Sequence, residues 1–277
     1  MTTQSMIPSN WAARLRWLVS DAVVMVGRNV RLIPRTPSKL AASTVGPLTL
    51  LLLFTMVFGS AIEVPGGGNY AEFLVPGIFV QLLTWNIMNT AVGLSNDMKL
   101  GMVDRFRSLP MSRSAMLLGR AGGNLAESMI QLSVMSLCGL LVGWRLRGSV
   151  GDTVAAFGIL LLWAFTMNWV GSLFGILVRD AEAIPPIAMS IMFPVTFIAN
   201  TFVATGDMPA AIRAIADYNP ISAVVAATRT LFGNPNPPAH GALPLEHPIA
   251  AALIWITVLT GVSWFLAVRR YRSQVSR

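Results

Sequence analysis

The chain has 277 residues, of which 54% are hydrophobic and only 12% charged, with a formal net charge of +8 and one cysteine. An ordinary soluble domain carries about 25% charged residues, so water is not the main solvent for this polypeptide. A disulfide within the chain is excluded.

Several long blocks are apolar on every side rather than along one stripe. A helix needs about 20 such residues to cross a hydrocarbon core of about 30 Å. With no water to hydrogen-bond the backbone there, each block must be a helix. The short alternating segments of a membrane β-barrel do not appear. The expected fold is therefore all-α and integral to the membrane, with six transmembrane helices.

Residues 1–40 read as a cytoplasmic N-terminal segment, and the first apolar block starts too late for a cleavable signal peptide. Within it, Trp11, Leu15, Leu18, Ala22, Met25 and Val26 share one helical face, while Arg14, Asp21 and Arg28 recur on the other. This amphipathic helix, with Trp11 and Trp17 suited to the interface, lies along the membrane surface as an anchor or as a contact for a cytoplasmic partner.

The transmembrane domain covers residues 41–268, with spans at about 41–62, 73–95, 116–143, 155–178, 184–203 and 249–268, and a tail at 269–277. Arg14, Arg16, Arg28, Arg31, Arg35 and Lys39 precede span one; the loop between spans two and three carries Lys99, Arg105, Arg107, Arg113 and Arg120. Arg179 and the tail arginines fall on the same side, leaving only Arg145, Arg147, Arg213 and Arg229 opposite. The positive-inside rule then puts both termini in the cytoplasm. Topology accounts for the basic excess, and no nucleic-acid partner is expected.

The loop from Asn96 to Arg113 is too charged for lipid, yet Met102, Val103, Phe106 and Leu109 form an apolar stripe beside Lys99, Arg105 and Arg107. Pro110 closes this short helix. Its form suits either a solvated loop or a lever seated in a motor subunit. On the opposite side, Asp207 with Pro209 and Asn219 with Pro220 each read as a cap followed by a first-turn proline. The second helix, Pro220–Phe232, stops at Gly233 and is too short to span, so it dips into the outer leaflet or packs over the span ends. The stretch from Asn234 to Pro244 reads as an irregular loop.

Span three carries Glu127 with Asn124 and Gln131 a turn to either side, a polar strip in lipid. An intramembrane carboxylate is costly, which suggests a cation-facing or proton-carrying group, although a hydrogen-bonded Glu near the inner end is also compatible. Gln81, Asn86 and Asn89 in span two and Asn168 in span four are further candidates for a substrate path or a helix interface.

A phosphate-binding loop GxxxxGK[ST] is impossible, because the only lysines, Lys39 and Lys99, are each followed by Leu. No HExxH pattern or cysteine pair offers a zinc site.

Particular segments make the chain resemble the ABC-2 type permeases, and within them the permeases of daunorubicin/doxorubicin-resistance exporters. They are Thr55-Met-Val-Phe-Gly-Ser-Ala-Ile62, Tyr70-Ala-Glu-Phe-Leu-Val-Pro-Gly-Ile-Phe-Val-Gln81, Gly101-Met-Val-Asp-Arg-Phe-Arg-Ser-Leu-Pro-Met-Ser-Arg113 with Gly119-Arg120, and Asn219-Pro-Ile-Ser222 with Arg229. The family's usual acidic residue and basic pair before the third segment are replaced here by Asn96, Asp97 and Lys99.

The resemblance implies a connecting helix at residues 10–31 bearing Arg14, Trp17 and Arg28. It also implies a coupling helix bearing Asp97, Lys99, Gly101, Asp104, Arg105, Phe106, Arg107 and Pro110. Both would dock on a separate ATPase present in two copies, which binds the ATP and Mg, beside a second permease copy; the chain itself would hold no cofactor and no catalytic residue. Asn219, Pro220 and Arg229 would belong to an external gate. The cargo would be an amphipathic drug, which Glu63, Glu72 and Glu127 could favour as a cation, or a lipid or glycopolymer. A proton-coupled antiporter using Glu127 is the competing reading, and it predicts inverted repeats that the sequence does not display.

Overall fold

The computed structural model describes residues 37–59, 64, 69–99, 115–178, 180–239 and 241–275, and among these every regular element is helical. In chain order they are α1 (Pro37–Leu53), which runs into a π-helical turn at Phe54–Phe58, α2 (Tyr70–Lys99), α3 (Ala115–Leu141), α4 (Val150–Leu177), α5 (Ile184–Ile198), α6 (Ala210–Asp217), α7 (Pro220–Phe232), α8 (Leu243–Glu246) and α9 (Pro248–Val275). A 3-10 turn at Thr205–Asp207 precedes α6.

The helices α2, α3, α4 and α9 are long and apolar enough to cross a bilayer, which makes the chain a multi-pass membrane protein. The helices α1, α5 and α7 are apolar but shorter. Each of the six expected apolar blocks holds a helix among its described residues, but those placed at 41–62 and 184–203 yield shorter α-helices than a straight crossing uses. The fifth stops at Ile198, where Ala199 turns to an extended backbone.

In α2 the most apolar window is 83% buried inside the protein, against 17% for α9, so α2 is the central strut and α9 lies at the periphery of the bundle. Side-chain pairings set the directions. Trp163 Nε1 of α4 donates to Thr84 Oγ1 of α2 at 2.9 Å, and Thr90 Oγ1 donates to Asn168 Oδ1 at 3.0 Å, so α2 and α4 advance together. Conversely, Asn86 meets Gln131 while Gly139 faces Val75, so α3 runs antiparallel to α2.

Glycines allow the α2–α4 contact. A Cβ on Gly171 would stand 2.8 Å from the Ile87 carbonyl oxygen, and one on Gly175 would stand 2.6 Å from that of Ala91. Small residues one turn apart let two helix backbones approach where lipid supplies no hydrophobic drive between helices.

Toward the starts of α2 and α4, Phe79, Trp144, Phe157 and Phe232 pack largely edge to face, with Trp144 and Phe232 centroids 5.2 Å apart. The helix α7 is buried along nearly its whole length against this group.

Three local expectations change. Asp207 lies in the 3-10 turn rather than at a cap, and α6 starts after Pro209 with no side-chain cap. The helix α4 begins at Val150, five residues before the expected edge, because Ser149 and Asp152 form a reciprocal capping box. The loop expected from Asn234 to Pro244 ends in the helical turn α8.

Candidate functional site

Residues a turn apart on α2 (Asn86, Asn89, Thr90) and on α3 (Asn124, Glu127, Ser128, Gln131) face each other, with Asn168 of α4 between them. Asn124 Nδ2 donates to Asn168 Oδ1 at 2.6 Å and to Thr90 Oγ1 at 3.1 Å. Asn86 Nδ2 donates to Gln131 Oε1 at 2.8 Å, and Asn168 Nδ2 donates to Ala164 O at 2.9 Å. Seven of these residues, Asn86, Asn89, Thr90, Asn124, Glu127, Ser128 and Asn168, line a hollow of about 30 Å³. The structure thus gathers five of the six residues read as a substrate path, namely Asn86, Asn89, Glu127, Gln131 and Asn168.

The sixth, Gln81, stands away from that hollow. It is 3% exposed, and both of its amide atoms are buried without a hydrogen-bond partner among the described residues. The indole N–H of Trp85, one turn on, is in the same condition.

At the other end of α2, Lys99 Nζ forms an ion pair with Asp180 Oδ1 at 2.9 Å, both side chains being more than half exposed. The hydrogen bond from Lys99, then the Glu182 backbone N–H and the Lys99 charge, hold the Asp180 carboxyl below its ordinary range. Asp97 and Lys99 therefore sit in the last turn of α2, beside the α4–α5 connection. Gly101, Asp104, Arg105, Phe106, Arg107 and Pro110 lie outside the described residues, as do Arg14, Trp17 and Arg28.

The residues read as an external gate are fastened to the bundle. Asn219 caps α7 by accepting from the Ile221 N–H at 2.9 Å, while its Nδ2 donates to the Val195 carbonyl at 2.7 Å. Pro220 opens the helix and Gly233 ends it in the left-handed region at φ 69°. Ser222 Oγ accepts from the Asn200 N–H at 3.1 Å.

Arg229 is fully buried. Its Nε donates to Phe73 O at 2.8 Å and its Nη2 to Thr201 O at 3.1 Å, and the guanidinium carbon stands 3.6 Å from the Phe73 ring centroid. Charge-assisted bonds and a cation–π contact offset part of the cost of burying this charge.

Glu72 corrects one expectation. It is 3% exposed and held by Arg147, so it is a structural partner rather than a free acidic group for a cationic cargo. The Glu72 hydrogen bond, followed by its charge, raises the Arg147 pKa above its ordinary value. Nearby, Trp144 Nε1 donates to Asn234 Oδ1 at 2.8 Å and Asn234 Nδ2 to Arg145 O at 2.9 Å. These pairings join residues 75 to 90 positions apart, with no local spacing to announce them.

Comparison with known proteins agrees with this geometry. Residues 21–232 match the family model described as ABC-2 type transporter. The daunorubicin resistance ABC transporter permease protein DrrB1 of Streptomyces coeruleorubidus is 30% identical over 77% of this chain and 75% of its own. The doxorubicin resistance ABC transporter permease protein DrrB of Mycobacterium tuberculosis (strain ATCC 25618 / H37Rv) is 21% identical over 73% of this chain and 70% of its own. The inner membrane transport permease YadH of Escherichia coli (strain K12) is 21% identical over 81% of this chain and 87% of its own. A family match across most of the chain, on an all-helical membrane fold with a polar cluster inside it, means that the chain belongs to the ABC-2 type transporter family.

Proposed function

We propose that the chain is the membrane-spanning permease subunit of an ATP-binding cassette exporter, moving an amphipathic drug or lipid-like molecule outward with ATP hydrolysed by a separate subunit. The carrying observation is the family match over residues 21–232, which includes drug-resistance permeases among the relatives.

Six crossings fit the helix directions. The helix α4 ends beside Asp180, near Lys99, while α9 starts at the opposite end of the bundle and packs alongside α4. This arrangement favours a return across the bilayer between them, with α5 as the apolar helix available and residues 199–202 reaching Tyr70 and Arg229. The α1 helix and its π turn together cover Pro37–Phe58, about 33 Å at 1.5 Å per residue. On this reading residues 1–40 and 269–277 are cytoplasmic, 41–268 are the transmembrane domain, and α7 is a re-entrant external helix.

Arg14, Trp17 and Arg28 would lie on the connecting helix. Asp97, Lys99, Gly101, Asp104, Arg105, Phe106, Arg107 and Pro110 would form the coupling helix against an ATPase that binds ATP and Mg. Two ATPases and a second permease copy complete the transporter, surrounded by membrane lipid and with no role for nucleic acid. The cluster around Asn86, Asn89, Glu127, Gln131 and Asn168, with Gln81 beyond it, lines the route, and Asn219, Pro220 and Arg229 hold the external gate. No catalytic residue is assigned to this chain.

Inside-out vesicles containing this chain and its ATPase should accumulate a fluorescent anthracycline only when ATP is supplied, and Phe106→Asp should stop accumulation without lowering expression. Transport of a lipid or glycopolymer in place of the drug would move the cargo and keep the mechanism. The position of Glu127 in a polar hollow favours one competitor, a proton-coupled antiporter. Uptake driven by a proton gradient, indifferent to ATP and lost in Glu127→Gln would establish that competitor instead.

A further inference from the structure

Five phenylalanine rings form one continuous row on the flank where α1 and α5 each pack on α2. In order they are Phe58, Phe54, Phe202, Phe197 and Phe193, with successive centroids 5.3, 4.7, 4.9 and 4.3 Å apart. The π turn after α1 supplies the first two, the turn after α5 supplies Phe202, and α5 itself supplies the last two. The three contacts from Phe54 to Phe193 lie within 24–27° of parallel. The buried aromatic group around Phe79 is ordered differently, with Trp144 meeting Phe79 at 88° and Phe232 at 86°.

Hydrophobic burial is non-directional and does not require rings to align. The row is also open at both ends: Phe58 is 39% and Phe193 45% exposed, while Phe202 at the middle is 4% exposed. An acyl chain lying there gains area but nothing from the alignment, whereas a flat aromatic guest continues the stack. Exposed methionines flank the two ends, Met56 beside Phe58 and Met189 one turn before Phe193, and their pliant thioethers suit contact with aromatic edges. No ionisable side chain occurs in residues 54–58 or 190–198, which leaves nothing to grip the hydroxyls of a glycan or the phosphate of a lipid head group. The middle of the row is tied to residues around the proposed gate. The Phe202 carbonyl accepts from Tyr70 Oη at 3.0 Å, and the adjoining Thr201 carbonyl accepts from Arg229 Nη2 at 3.1 Å.

We infer that this row is a binding strip for a planar polycyclic aromatic cargo, which stacks on the open ring at one end and lies in line with the gate. This deepens the proposed function by naming the cargo class, and it rests on that reading for the direction of transport.

The test is equilibrium binding of doxorubicin to the full chain in lipid nanodiscs, read by drug fluorescence against empty nanodiscs. A saturable component above the lipid background is expected. It should be displaced by 9-aminoacridine, a flat aromatic cation, and left in place by tetrapentylammonium, a ring-free cation, and by maltoheptaose, a neutral glycan. Phe58→Leu and Phe193→Leu keep an apolar side chain but remove a ring face at either end. At least one should weaken binding about two- to tenfold, the scale of one lost stacked pair, with its Tm close to the parent's. A change in one variant alone upholds the inference and assigns the occupied end. Binding that does not saturate overturns it, as does displacement by tetrapentylammonium or maltoheptaose as effective as that by 9-aminoacridine. Unchanged affinity in both variants also overturns it, and if one variant fails to fold, unchanged affinity in the other is sufficient. The nanodiscs contain no ATPase, so failure here removes the strip and leaves ATP-driven export to be judged separately by the vesicle assay.

Discussion

Arg147 closes on Glu72 with its Nε 2.9 and 3.1 Å from the two carboxylate oxygens and its Nη2 2.8 Å from Oε1. This forked pair ties the α3–α4 connection to the first turn of α2. Arg147 N and Gly148 N also donate to Phe232 O at 2.9 Å, so the same connection is fastened to the end of α7. The start of α2, the end of α7 and the α3–α4 connection are joined at one point.

Arg147→Glu should therefore lower the Tm in detergent most, because it sets a second carboxylate against a buried one. Arg147→Lys should fall between the parent and Arg147→Ala, since an ammonium cannot reproduce the two-pronged geometry. A thermal-shift series on the purified variants checks the order, and equal Tm values across the series would remove the pair from the structure's support.

Arg229 is a buried cation held by two carbonyls and a ring face. Arg229→Ala should destabilise the protein by about 2–4 kcal/mol, combining two charge-assisted bonds with a cavity. Arg229→Lys should recover part of the loss. Detergent-melting curves that place the alanine variant within about 0.5 kcal/mol of the parent, the usual range for an inconsequential surface change, would contradict this.

The α2–α4 interface depends on the absence of a side chain at Gly175. Adding one methyl group there meets the Ala91 backbone rather than a flexible side chain, so Gly175→Ala should cost about 1–3 kcal/mol and Gly175→Leu should prevent folding. Gly158, on the same helix, is the control: a Cβ added there would have nothing within 4 Å, and Gly158→Ala should be neutral or slightly stabilising. Size-exclusion profiles and melting curves distinguish the two positions.

The Lys99–Asp180 contact should be trapped by a zero-length carbodiimide, giving a Lys99–Asp180 crosslinked peptide by mass spectrometry. Since its partners lower the Asp180 pKa, the pair's contribution is complete above the unfolded value of about 3.9 and is lost only as pH falls through the lower folded value. Crosslinking should therefore not decline between pH 7 and pH 5 through loss of the carboxylate charge, and Lys99→Glu with Asp180→Lys should restore contact that either change alone removes.

Much of this architecture is legible in the sequence because lipid imposes a simple rule. A block apolar all round must be a helix, and Asn219-Pro220 with Gly233 marks both ends of α7 to the residue. The polar strip at Asn124, Glu127 and Gln131 also shows at helical spacing, and it does enter a shared cluster. Local spacing is silent about which helices meet, however. Nothing near Glu72 announces Arg147, and nothing near Asn168 announces Asn124, so one acidic candidate proves structural and the hollow's third wall comes from α4. The start of α4 is misplaced for another reason: hydropathy averages across the polar capping box at Ser149 and Asp152, which begins the helix ahead of its apolar core.

The central reading is that this chain turns the motion of a partner ATPase into movement of helices and consumes no nucleotide itself. The direct measurement is ATP turnover by the purified chain, by the ATPase subunit, and by the two reconstituted together in nanodiscs. Turnover should be absent from the chain alone, appear with the ATPase, rise when an anthracycline is added to the complex, and lose that stimulation in Phe106→Asp. ATP hydrolysis by the chain alone, or a complex whose turnover and drug response are unchanged by Phe106→Asp, would contradict it.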